Sequence, residues 1–550
     1  MTPEMQTLAG RRQPLIVVGL DGYESAIADV LMDTDDLPNL RALFAESARI
    51  DLDHGRNKLS GLSWEHFSTG QGPKESGCWS AVDFDPNTYV VAQRTRRALP
   101  YLGPAGSRIV AFDVPYFDMM RAPGVNGLSN WGAHDPGVPA YSRPDSLGAE
   151  IEQKFGTYIA ADDIYGFVWP DADAAKTSSA RLVQSVKQRA DITEWLLKER
   201  FKDWDIGLTV ISELHSAIEP MWHGFDASHP LHECLSGAAA REGLFDLYRA
   251  VDAFVGQLRA AFPDAAMAAF WMHGMGSNDA DVASMVLLPE LLYRRATGEQ
   301  NFNAPNAWTD AEGGVPLLKA GEKWEDAVHA NMARRGVARP SLLRRGANKV
   351  SRKIRAQLGQ AESEPFSLGW MPAYHYGFAW STMDAFALPA FYDGRIRLNV
   401  VGREAHGRIQ QRDYQKALSD ISFLLRECKD MRTGQSIVGD IYFTSEDDPM
   451  AVPDSTGDIE VVWAGEPLGL VHPEYGEIGP VPYRRTAGHT GGLGSFYLSA
   501  NGARPGSYGV ADALDVAPTL GEWLGLENSR DGLSGQSVLS KLMPETVEQD

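Results

Sequence analysis

Cysteine, positive charge and long apolar runs are all scarce in this 550-residue chain. The three cysteines, Cys78, Cys234 and Cys428, are far apart and odd in number. That excludes a disulfide framework or a cysteine-based zinc site and fits a reducing compartment. No stretch approaches the roughly 20 apolar residues that span a bilayer. The apolar run behind Arg11 and Arg12 is only about five residues, too short for a signal-peptide core. A soluble, cytoplasmic protein with no membrane association is therefore expected. Lys and Arg number 51 against 73 Asp and Glu, a formal net charge of −22. A field of that sign repels nucleic acid, for which the chain also carries no motif, so none is expected as a partner. It repels phosphate as well, so phosphate chemistry here needs local positive charge, from metal ions or a few Arg and Lys.

What the chain does have is the balance of a packed protein, 43% hydrophobic and 10% aromatic. Pro14-Leu-Ile-Val-Val-Gly-Leu-Asp21-Gly22 is a short β-branched run ending in a carboxylate, the pattern of a buried parallel strand. Similar runs at 108–113, 206–212, 266–272 and 459–463 alternate with helical periods such as 24–46, 177–200 and 236–260. This predicts an α/β fold, a mainly parallel sheet with helices on both faces. The rhythm breaks after residue 278, so 14–278 and 441–530 are assigned to the core and 279–440 to an inserted cap, with 1–13 and 531–550 as terminal segments. The cap holds a basic run from Arg344 to Arg355, whose ordinary role is a solvated helix face. It also holds two strands about Asp393-Gly394. Residues 512–525 predict a closing helix.

Ligands in open α/β sheets bind at the carboxyl ends of strands, which marks Asp21. Glu213-Leu-His215 opens a segment in which His215 and Glu219 share a helix face at i, i+4, with His223 one turn on. His273-Gly-Met-Gly-Ser-Asn278 follows another strand, and His489 lies among the small residues of Thr486 to Gly492. Together these carboxylates and imidazoles suit zinc, manganese or iron. The stretch Leu59 to Pro73 offers hydroxyls at Ser60, Ser63 and Ser68, each needing a base or metal to become a nucleophile.

Taken in order, these segments resemble the alkaline phosphatase superfamily, in its type I phosphodiesterase/nucleotide pyrophosphatase branch. The resemblance rests on Asp21-Gly22, on Leu37-Pro-Asn-Leu40, and on Ser60 nine residues before Thr69-Gly70 with Pro73 beyond. It continues through Phe112-Asp-Val-Pro115, Val125-Asn-Gly127, Leu398-Asn399, Gly402-Arg403-Glu404 and Asp515-Val-Ala-Pro-Thr519. It implies an alkaline-phosphatase-like core and a metal-dependent phosphoric ester hydrolase, phosphodiesterase-like, with Ser60 as nucleophile. One metal would take His215, Glu219 and His489; the other would take Asp21, Ser60 and His273. One or two divalent ions are implied, zinc first and Mn, Fe or Ca as alternatives. Two positions depart from the pattern: the ligand types at 215 and 219 are exchanged, and Met272 stands where an Asp is usual. Asn130, His134, Glu213, His223 and Asn278 are further candidates to touch substrate or support the site. The expected partner is a small-molecule or polymer-linked phosphate ester. The alternatives are a non-catalytic metal- or ligand-binding protein that keeps the fold, and a phosphoryl- or phosphonate-transferring relative. A formylglycine sulfatase is disfavoured, because neither Ser60 nor Cys78 is followed by the required Pro and Arg.

Overall fold

The structure, a computed structural model, describes residues 12–94, 98–132, 139–164, 171–319, 321–333, 368–526 and 532–544. The basic run 344–355 and His134 lie outside the described residues. The central sheet has nine strands: β1 Leu15–Leu20, β2 Ala48–Asp53, β3 Ile109–Phe112, β4 Val125–Ser129, β5 Tyr141–Arg143, β6 Ile206–Ile211, β7 Ala266–His273, β8 Leu493–Ser499 and β9 Gly506–Asp512. Their spatial order is β9-β2-β8-β7-β1-β6-β3-β4-β5. The run β7-β1-β6-β3-β4 is parallel throughout, as is β2 with β9; β8 and β5 run antiparallel to their neighbours.

β1 is buried along its whole length, because both faces are covered. Alternate side chains divide between the faces. Ile16 and Val18 pack with helices α1 (Ser25–Asp33), α2 (Pro38–Glu46), α4 (Ala172–Trp195), α5 (Glu213–Phe225) and α6 (Gly237–Ala261). Leu15 and Val17 pack with α3 (Ser63–Thr69) and the closing helix Val516–Trp523. No helix among the described residues is long and apolar enough to cross a membrane.

The parallel neighbours β7, β1 and β6 bring their carboxyl ends to one edge, so Asp21, the start of α5 and His273 emerge together. The chain turns there at Gly22, with φ of +79° and its Cα so close to α5 that a Cβ would lie 2.6 Å from the Cα of His215. Only glycine meets both demands.

Beyond residue 279 a four-stranded antiparallel sheet forms in the order Ala385–Leu388, Gly394–Leu398, Ile459–Trp463, Val438–Phe443. It has its own apolar core around Trp380, Phe386 and Ile396. The expected strand pair about Asp393-Gly394 is present. Ile459–Trp463, by contrast, belongs to this sheet and not to the parallel core. The physical reason lies in its sequence: Glu460 alternates with buried Ile459 and Val461, as in a strand covered on one face, whereas a parallel core strand is apolar throughout. This small sheet straddles the expected cap boundary at 440. Glu404 and Arg403, two residues that carry the family resemblance, build a buried ion network with Arg397 and Asp458 that braces it.

Behind the strand ends, Arg189 of α4 is fully buried between Glu213 and Asp113. It donates to Glu213 through Nε and Nη2, each at 3.0 Å, and to Asp113 at 2.9 Å. Asp113 in turn accepts the N–H groups of Trp131 and Gly132. Glu213 is therefore a structural anchor rather than a substrate or metal contact. Arg189→Met leaves two buried carboxylates without a cation and is expected to cost about 3–5 kcal/mol, measurable as a lowered urea midpoint.

Candidate functional site

A cavity of about 360 Å³ opens at the carboxyl edge of β1, β6 and β7. Its core side carries Asp21, Ser63, His215, Glu219, His273 and His489; Gln93, Glu325, Arg484 and Arg485 add further polar lining. Trp64, Trp370, Phe391 and Tyr392 supply aromatic walls. His215 and Glu219 share one face of α5, as their spacing predicts, with His215 Nε2 at 3.4 Å from Glu219 Oε1. His489 reaches the same place from a loop pinned by the short pairing of Ala487–Gly488 with Gly276–Ser277. Its Nε2 lies 3.3 Å from His215 Nε2. Tyr392, at the turn between Ala385–Leu388 and Gly394–Leu398, stacks on the His489 ring at 3.8 Å and 13°.

Ser63 opens α3, and its Oγ lies 3.2 Å from His273 Nε2. His273 Nδ1 is 2.9 Å from the carbonyl oxygen of Gly274. A carbonyl only accepts, so Nδ1 carries the proton and Nε2 presents its lone pair to Ser63. Burial lowers the His273 pKa to about 4, which keeps the ring neutral near pH 7. Ser60 sits differently. It ends a 3₁₀ turn, donates to the Asn57 carbonyl at 2.7 Å and accepts from Leu62 N–H at 3.1 Å. Such local side-chain-to-backbone bonding caps a turn, and Ser60 is not among the residues lining the cavity.

Three further expected residues also serve the framework. His223 is rotated from His215 by about 80° around the helix at 100° per residue, and it bonds Ser236 Oγ at 2.9 Å in the core. Asn278 donates to the Ala487 carbonyl and accepts from Asp281 N–H, tying the His489 loop to the strand edge. Asn130, at φ +58°, stands in the loop held by Asp113 and does not line the cavity. Sequence reasoning passed over Arg484, Arg485, Asp281 and Tyr392. The available signal was the pair Arg484-Arg485 set in an otherwise apolar stretch just ahead of the Gly-His loop.

The implied metal set can be tested on these contacts. Tetrahedral zinc at about 2.0–2.1 Å needs nitrogen lone pairs aimed at one point and an open carboxylate oxygen. Glu219 Oε1, the oxygen facing His215, is instead ion-paired by Arg485 Nη1. Arg485 also clamps Asp281 through Nε and Nη2 at 2.6 and 2.8 Å. His489 Nδ1 lies 3.5 Å from the Lys58 carbonyl, which leaves its Nε2 lone pair facing His215 Nε2. Met272, at the usual Asp position, faces the cavity from an apolar cluster with Trp64 and Phe270, and a thioether is a poor ligand for a hard ion. Among the described residues no group of three or more His, Cys, Asp and Glu is arranged to hold a metal ion. His215, Glu219 and His489 come together, but Arg485 takes the Glu219 oxygen that faces His215. Arg485→Gln, which frees Glu219, is expected to bind zinc at least about tenfold more tightly than the wild type, or about 1.4 kcal/mol, by calorimetric titration of folded protein.

The sequence profile of the type I phosphodiesterase / nucleotide pyrophosphatase family matches residues 15–339, more than half of the chain. No curated protein matches it. Among solved structures, phosphonoacetate hydrolase from Sinorhizobium meliloti 1021 is similar at 14% identity and a TM-score of 0.44, over 89% of this chain and 90% of that one. Human ectonucleotide pyrophosphatase / phosphodiesterase 5 is similar at 10% identity and a TM-score of 0.43, over 94% of this chain and 95% of that one. The profile spans β1, the Ser63 helix, α5 and β7, the elements that carry Asp21, Ser63, His215, Glu219 and His273, and the chain belongs to the type I phosphodiesterase / nucleotide pyrophosphatase family.

Proposed function

We propose that this protein hydrolyses phosphate esters, with Ser63 as the attacking hydroxyl and His273 as its base. In a chain of this family, the observation that carries the reading is the Ser63 Oγ to His273 Nε2 contact of 3.2 Å on the cavity wall. The Ser63 proton passes to His273 Nε2 as the Oγ–P bond forms. The P–O bond to the leaving group breaks, and the departing oxygen takes the proton back from His273. Water, deprotonated by the same nitrogen, then attacks the phosphoserine and regenerates Ser63. Arg484 and Arg485 line the cavity wall, their charge matched by Asp281 and Glu219. The aromatic walls favour an ester whose organic group is flat or apolar, and a cavity of about 360 Å³ admits a small molecule.

Ser63→Ala is expected to reduce turnover of a nitrophenyl phosphodiester by about 10³-fold or more, and Ser60→Ala to stay within about tenfold of the wild type. The reverse ranking would overturn the assignment of Ser63. Assays run with and without added zinc or manganese also measure metal dependence. Binding of phosphate with no turnover of mono- or diesters would favour the non-catalytic alternative. His273 must be neutral to accept a proton, and burial lowers its pKa from 6.5 to about 4. The acid limb of kcat/KM is therefore expected near pH 4 rather than near 6.5, as read from the pH–rate profile.

A further inference from the structure

Two histidines outside the cavity lining bear on the Ser63 hydroxyl. His54 follows β2, and His66 lies on α3 three residues after Ser63, so both α3 side chains face the same way. His54 Nδ1 is 3.3 Å from Ser63 Oγ, and His54 Nε2 is 3.1 Å from His66 Nδ1. All three are buried, at 3% exposure for His54, 1% for His66 and 7% for Ser63. Water therefore does not scramble the hydrogen bonds between them.

The direction of these bonds follows from one fixed end. The Gly274 carbonyl can only accept, so His273 Nδ1 donates to it and His273 Nε2 accepts the Ser63 proton. A hydroxyl has one proton, so Ser63 can contact His54 Nδ1 only by accepting an N–H from it. A neutral His54 then presents a bare Nε2, which must accept from His66 Nδ1–H. The remaining His66 Nε2 is buried with no hydrogen-bond partner among the described residues, as an unused lone pair. Burial lowers the pKa of both rings, His54 well below its ordinary value and His66 to about 3, so both are in the neutral form this order requires.

We propose that His66, His54, Ser63 and His273 form a one-directional hydrogen-bond chain in which His54 is a positioning residue, turning the Ser63 hydroxyl toward His273 and leaving an Oγ lone pair for the cavity. The function assigned to His54 rests on the hydrolase reading above; the order of protons does not. During attack the balance is that of the step already described: the Ser63 proton moves to His273, the Oγ–P bond forms, and the His54 N–H stays on His54 throughout, still donating to Oγ.

Two measurements test this. Long-range ¹⁵N spectra of the full-length protein labelled at histidine, assigned through single His→Gln variants, report which ring nitrogen carries the proton. Nδ1–H is expected at His54, His66 and His273, and Nε2–H at His54 overturns the proposal whether or not any ester is turned over. In the assay, His54→Ala is expected to lower kcat by about 10²-fold with KM little changed. His54→Asn, whose amide N–H lies near the Nδ1 position, should recover most of that loss, whereas His54→Gln should not. Equal losses in folded Asn and Gln variants, judged by thermal unfolding, overturn the positioning role. A wild type inactive on every ester sinks the hydrolase reading and with it the role of His54, while the spectra still decide the chain.

Discussion

The guanidinium of Arg485 holds the floor of the cavity together. It joins Glu219 on α5 to Asp281, eight residues beyond His273 of β7, with Arg484 as a second cation on Asp281. Two buried cations and two buried anions sum to zero, and such a network is stable only while every member is present. Its geometric effects reach further than its charge. It fixes the strand edge from which His489 projects toward His215, and it draws the Tyr392 hydroxyl, 3.4 Å from Arg485 Nη1, against that loop.

This network also changes how the acidic balance of the chain is understood. A surface of net charge −22 calls for positive charge wherever phosphate is handled. Arg484 and Arg485 are cations at the site, and the carboxylates of Asp281 and Glu219 neutralise them at close range. The reacting hydroxyl is then governed by hydrogen-bond direction more than by field strength. One acceptor-only carbonyl, on Gly274, sets the proton order of the rings beyond it.

Much of the core was legible in sequence because its signals are local. The β-branched run ending at Asp21 places β1, and the i, i+4 spacing brings His215 and Glu219 together. Side-chain direction at turns was less legible. Ser60 has the family spacing to Thr69-Gly70, yet its hydroxyl donates to the Asn57 carbonyl within its own turn. Glu213 and His223 look like site residues from their neighbours in the chain, but the helix turns them toward Arg189 and Ser236. Arg485 stayed hidden because its partners, Glu219 and Asp281, lie more than 200 residues away, and no short-range pattern encodes that pairing.

The hairpin that carries Tyr392 belongs to the small antiparallel sheet, while the Ser63–His273 pair belongs to the strand ends of the core. Bond-breaking and substrate fit are thus written in separate stretches of chain that meet at Tyr392, through its stack on His489 and its contact with Arg485. Drift in the hairpin tip can reshape what the cavity admits without disturbing the proton path, so relatives that share this core need not share a substrate.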